Sequence, residues 1–154
     1  MRMVFAFLAM ILLLPVGAAA QTWSAEEQEI IDFTDSCWVT WSQEEVDRYL
    51  SDCWHQDITF WFSEHTVPFG SRWVGRAAPF WFSQNEWGAW DIQTHKVKVY
   101  GDAAVIQYQL LISSKLADGT IEIWAEGRSD FLVRENGAWT VVAVHTHPAP
   151  VSRN

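Results

Sequence analysis

Basic residues are scarce in this chain and never clustered. Ten Lys and Arg stand against nineteen Asp and Glu, a formal charge of −9. A phosphate-binding face needs grouped Lys and Arg, so nucleic acid is not expected as a partner. The acidic residues are scattered rather than run together, which is the pattern of a solvated surface. After the first twenty residues no apolar run approaches the roughly 20 residues that a membrane-spanning helix needs. A Ser nucleophile elbow, a phosphate-cradling glycine loop and a Cys-based zinc pattern are all missing. Cysteine is down to two residues, Cys37 and Cys53. There is no internal repeat, low-complexity segment or linker, so one domain with one core is expected.

The start of the chain is a different kind of segment. Arg2 gives a positive beginning, Val4 to Val16 is apolar apart from Pro15, and Ala18-Ala19-Ala20 is a small-residue cleavage site. Residues 1–20 read as a secretory signal peptide cut before Gln21, and residues 21–154 as the folded domain. The junction carries no Cys for a lipid anchor. The expected location is secreted or periplasmic, with no membrane attachment after cleavage. Export would place Cys37 and Cys53 in an oxidising compartment. Either they form one bridge, stabilising by roughly 3 kcal/mol if unstrained, or they are two buried thiols. A tight helical hairpin would carry the two positions apart.

The strongest local signals are caps and turns. Ser24-Ala25-Glu26-Glu27 is a capping box, and the helix after it repeats Ile30, Ile31, Thr34, Cys37, Trp38 and Trp41 at three- and four-residue steps. Ser42-Gln43-Glu44-Glu45 is a second capping box, opening a shorter helix with Val46, Tyr49, Leu50 and Cys53 on one side. Ile58 to Phe62 is an aromatic strand. A short helix is predicted over Ala77 to Trp87, with Pro79 in its first turn and Gly88 ending it. Strands follow at Ile92–Tyr100, Ala103–Ser114, Thr120–Arg134 and Trp139–His147. Asn136-Gly137 between the last two is a hairpin signal, because both residues tolerate positive φ. Helices first and antiparallel strands afterwards define an α+β domain, a curved sheet wrapped over a helix.

The eleven tryptophans are the compositional outlier. Indole rings bury large areas, so most belong to a core and some to the walls of a cavity. The closing strand ends in His145 and His147, and side chains two apart leave a strand on the same face. Paired imidazoles at the end of an apolar strand suggest the floor of a pocket.

At this point the chain resembles the SnoaL-like branch of the nuclear transport factor 2-like superfamily. The residues that carry the resemblance are Trp54, Asp57, Gly75 and Gly137-Ala138-Trp139 followed by Val141, Val142 and His145. The tail is also similar to that of the association domain of calcium/calmodulin-dependent kinase II. The resemblance spans roughly residues 24 to 148. It implies a cone-shaped α+β barrel, its N-terminal helices packed in a curved, mainly antiparallel sheet. It also implies a pocket between helices and sheet, and frequent dimerisation. Members include isomerases, dehydratases, epoxide hydrolases, cyclases and non-catalytic assembly modules. Many relatives have Ser two residues after the tail His, where this chain has His147. The pair Arg128 and Asp130 is similar to one in the epoxide hydrolases, where it lies on the preceding strand.

Candidate site residues follow from both lines. His145 is the proposed general acid or base, since imidazole titrates near neutrality; its alternative is a structural hydrogen bond at the barrel mouth. Asp57 is a turn or capping carboxylate, or a base buried among Trp54, Phe60 and Trp61 with its pKa raised by desolvation. Arg128 and Asp130 lie on the same face as Glu122, Trp124 and Glu126. Such a charged row is usually the solvent face, unless a bulge at Gly127 turns its second half inward. His147, Trp54, Trp61, Gln107, Tyr108 and Gln109 are the candidate substrate contacts; Gln107 and Gln109 are otherwise exposed, and Tyr108 is otherwise core or dimer interface. His145 and His147 would supply two metal ligands and require a third such as His95 or Asp57. No metal and no cofactor are expected. The functional expectation is binding of a small apolar or aromatic molecule, with acid/base isomerisation, dehydration, cyclisation or hydrolysis. The alternative is a dimerisation or assembly module using the outer sheet face.

Overall fold

A computed structural model describes residues 21–42, 44–116 and 118–150, without the side chains of residues 84–90 and 95. The leader expected over residues 1–20 and the His95 side chain lie outside the described set. Helix α1 spans Ala25–Val39 and is opened by the expected capping box: Glu27 N–H donates to Ser24 Oγ, and Ser24 N–H donates to Glu27 Oε2. Its buried stripe is Ile30, Ile31, Thr34, Cys37 and Trp38. The second capping box does not cap helix α2, Val46–Cys53: its N-cap is Glu45, without a side-chain cap hydrogen bond, and Ser42 Oγ accepts from Glu45 N–H in the turn ahead of it. The helix buries Val46, Tyr49 and Cys53. Cys37 and Cys53 are joined by a disulfide across a Cα–Cα distance of 5.8 Å. Each cysteine precedes a tryptophan, so the bridge fixes Trp38 and Trp54 relative to one another.

Strand β1, Trp54–Trp61, leaves α2 directly, three residues earlier than Asp57. After β2, Phe69–Gly70, helix α3 runs Ser71–Gln84, and Pro79 lies inside it rather than in its first turn. Gly88 does not end this helix. Asn85 already belongs to β3, Asn85–Tyr100, because Asn85, Glu86 and Trp87 pair with Leu116, Lys115 and Ser114. Cross-strand pairing there overrides the helical reading, which rested on local residue types alone. Strands β4, Ala103–Leu116, β5, Ile121–Glu135, and β6, Ala138–Ala149, complete the sheet. The β5–β6 turn has φ of 53° at Asn136 and 82° at Gly137, the double positive values that the Asn-Gly pair accommodates.

The six strands lie in the order β2-β1-β6-β5-β4-β3. All neighbours are antiparallel except β1 and β6, which run parallel. Three helices pack against this open mixed sheet, an α+β cone. Ile30, Val74, Ile106, Leu110 and Leu132 meet at its centre with almost no exposure.

Two details of register decide which side chains see the interior. No bulge interrupts β5 at Gly127: Gln109, Gly127 and His147 stand in one continuous row. The bulge lies in β6 instead, where Phe131 pairs with Ala143 but Leu132 pairs with Val141. Val142 is the extra residue. Before it Trp139 and Val141 are buried; after it Val144 and Thr146 are. One inserted residue reverses the face of everything that follows.

Candidate functional site: an aromatic cavity with a charged floor

Aromatic side chains from every helix and from the concave side of the sheet enclose a cavity of about 260 Å³. Trp38 comes from the end of α1, Trp41 from just beyond it, Tyr49 from α2, and Trp54 and Phe60 from β1. Phe62, Trp81 of α3 and Trp124 of β5 complete the wall. The rings brace one another edge to face, with centroids 4.9 Å apart for Trp41–Tyr49 and 5.3 Å for Tyr49–Trp54. Tyr49 is buried so completely that its phenol pKa is pushed up to about 12, chiefly by loss of water.

The floor is charged and comes from one strand. Glu126, Arg128 and Asp130 occupy successive inward positions of β5; Glu126 and Arg128 line the cavity, and Asp130 lies behind them. Arg128 Nε–H donates to Asp130 Oδ1 at 2.9 Å, and Nη1–H donates to Glu126 Oε1 at 3.3 Å. The guanidinium carbon stands 4.7 Å from the Trp38 ring centre and 5.2 Å from that of Phe60. A chain of hydrogen bonds anchors the far side: Trp38 Nε1–H donates to Tyr108 Oη at 3.0 Å, and Tyr108 O–H donates to Asp130 Oδ2 at 2.8 Å. Burial opposes the charge on Arg128, but Asp130 and its other neighbours outweigh that and hold it firmly protonated. Burial raises the Tyr108 pKa well above the phenol range. Burial also raises the pKa of Glu126, against the pull of Arg128. Glu126 is thus the carboxyl on the cavity surface whose proton affinity is increased.

The charged row of β5 faces inward and its apolar row faces out, the reverse of the usual reading. Arg128 and Asp130 are each 4 % exposed, whereas Ile121, Ile123 and Phe131 are 67 %, 60 % and 47 % exposed. The inward placement of Arg128 and Asp130 needs no bulge at Gly127.

The remaining candidates divide cleanly. Trp54 lines the cavity, and Tyr108 lies behind it as the link between Trp38 and Asp130. His145 and His147 do not form the floor. The Val142 bulge turns both rings to the outer face, where they are exposed with centroids 6.4 Å apart. A strand without the extra residue would put them on the inward face of Trp139 and Val141. Asp57 is exposed on β1, its N–H donating to His55 Nδ1, so it is not a buried base. Trp61 is also on the outer face, paired in register with His145, with its indole N–H donated to the His65 carbonyl. Gln107 donates to Ser129 Oγ and Gln109 to the Pro150 carbonyl. With His147 they line a separate outer groove of about 330 Å³. There the His147 ring lies directly on Gly127, where a Cβ would stand 2.3 Å from it. Among the described residues no group of three or more His, Cys, Asp or Glu is placed to hold a metal ion.

No family model and no curated protein matches the sequence. Solved structures do match it. A nuclear transport factor 2-like protein from Cytophaga hutchinsonii superposes with a TM-score of 0.69 at 13% identity, over 82% of this chain and 100% of that one. A ketosteroid isomerase-like protein from Erwinia carotovora atroseptica gives 0.68 at 12% identity, over 83% and 100%. The association domain of C. elegans calcium/calmodulin-dependent protein kinase II gives 0.62 at 20% identity, over 79% and 95%. Identities this low speak for architecture only. The chain has the nuclear transport factor 2-like fold, one shared by an isomerase-like protein and by an oligomerisation domain.

Proposed function

We propose that this chain is an exported, SnoaL-like small-molecule-binding protein that takes an apolar or aromatic molecule into its tryptophan-walled cavity. The observation that carries the reading is the position of Glu126, a carboxyl of raised proton affinity at the surface of an otherwise aromatic hollow. A carboxyl that holds its proton more tightly than usual, placed at a cavity surface, is a candidate proton donor or acceptor, which suits acid/base isomerisation, dehydration, cyclisation or hydrolysis. Glu126 replaces His145 as the proton-transfer group. Arg128 and Asp130 hold it in place, and Tyr108 fixes Asp130. The experiment is calorimetric titration with small aromatic molecules of neutral, cationic and anionic type. Saturable one-site binding of at least one is expected, lost in Ile112→Trp, which fills the cavity, and retained in His145→Ala. Absence of binding across the panel overturns the reading.

A second reading, self-association through the outer sheet face, is favoured by the exposed row Ile121, Ile123 and Phe131 together with Trp61. It is compatible with the first, because the cavity opens on the opposite side of the sheet.

A further inference from the structure

The charges on the cavity floor do not balance. Two carboxylates, Glu126 and Asp130, share one guanidinium, Arg128. Both oxygens of Asp130 are used, one by Arg128 and one by Tyr108. Glu126 uses only Oε1, and among the described residues Oε2 has no hydrogen-bond donor. Arg128 directs Nε and Nη1 at the two carboxylates, and its plane lies over Trp38 and Phe60. Glu64, in the loop after β1, adds further negative potential at Glu126.

The walls have the same preference. An aromatic face is negative at its centre and attracts cations within about 6 Å, most strongly for indole. Arg128 demonstrates this inside the molecule by resting over Trp38 and Phe60. Around the empty part of the cavity stand further rings, Trp41, Trp54, Trp81 and Trp124, with one half-engaged carboxylate beneath them. The chain's charge of −9 would draw cations toward it over longer range.

We propose that the molecule bound in this cavity is a small organic cation, an amine or quaternary ammonium on an apolar body, with Glu126 as its counter-ion and the indole faces as its enclosure. This names the ligand class for the reading above and rests on it. Binding of a permanent cation favours the ionised carboxylate, so it releases a proton wherever free Glu126 is protonated. The other charged or titratable groups facing Glu126 are Arg128 and Asp130 on its own strand, Glu64 on the loop, Tyr49 on α2 and Tyr108 on β4. Burial holds the two phenols neutral, and the neighbouring carboxylate holds Arg128 charged.

The test compares phenyltrimethylammonium with tert-butylbenzene, its uncharged isostere, and with benzoate, by calorimetry on the intact protein. The cation should bind about tenfold more tightly than the isostere, and benzoate more weakly than either. Its affinity should fall as pH drops through the acid range while that of the isostere stays level. Glu126→Gln, which preserves the shape and the acceptor facing Arg128, should shrink the cation's preference to the part that the indole faces supply. Equal binding of the two by the unaltered protein, or a cation preference undiminished in Glu126→Gln, overturns the proposal and leaves the cavity reading intact. Failure of all three probes to bind counts against the cavity reading itself and removes the proposal with it.

Discussion

Glu126 is a carboxyl group that folding carries out of water and into partial contact with a guanidinium. Its folded pKa is raised, so it binds protons more tightly folded than unfolded. The sign follows from linkage: its contribution to stability is complete below the unfolded value near 4.5 and is lost as pH rises through the higher folded value. Glu126→Gln removes that loss. Urea unfolding of the two proteins between pH 4 and pH 8 should show the variant gaining on the parent as pH rises; a difference independent of pH would refute the raised pKa. Arg128 and Asp130 were legible as a pair in the sequence, and Glu126 sits at the same two-residue spacing. What hid it was the habit of assigning charged rows to solvent. That rule fails where one arginine on the row is neutralised by its own neighbours and covered by aromatic rings from other elements.

At the scale of the element, most of the architecture could be read in advance and most of the aim could not. The α1 capping box, the α1 and α2 stripes and the Asn136-Gly137 turn are local signals, and each is present as expected. The start of β3 and the inserted Val142 are set by partners far along the chain, which no local pattern contains. The two histidines lie beyond that inserted residue and face outward. The helical pair carries its own prediction. Cys37 and Cys53 close a loop with a sequence separation of 16, and the chain-entropy argument assigns such a loop about 3 kcal/mol. Replacing both by Ser should lower the unfolding free energy by about that amount, read from denaturant midpoints. The intact protein should weigh less than its reduced form by two hydrogen atoms. An unchanged midpoint would show that the bridge contributes nothing measurable.

For the whole molecule, the outer sheet face is the open question of chemistry. Ile121, Ile123, Phe131 and Trp61 are exposed there, and the self-association proposed above has a second copy covering them. Sedimentation equilibrium should give twice the chain mass, and the double variant Ile123→Asp with Phe131→Asp should return the single-chain mass with the cavity still competent. A single-chain mass for the unaltered protein would dismiss self-association.

The parallel pairing of β1 with β6 has a consequence for biosynthesis. Strand β6, Ala138–Ala149, follows the other strands in sequence, lies between β1 and β5, and among the described residues is the sole strand touching both. Until the ribosome has delivered it, the β1–β2 unit and the β3–β4–β5 meander have no shared neighbour, and the nascent polypeptide lacks the keystone of its sheet.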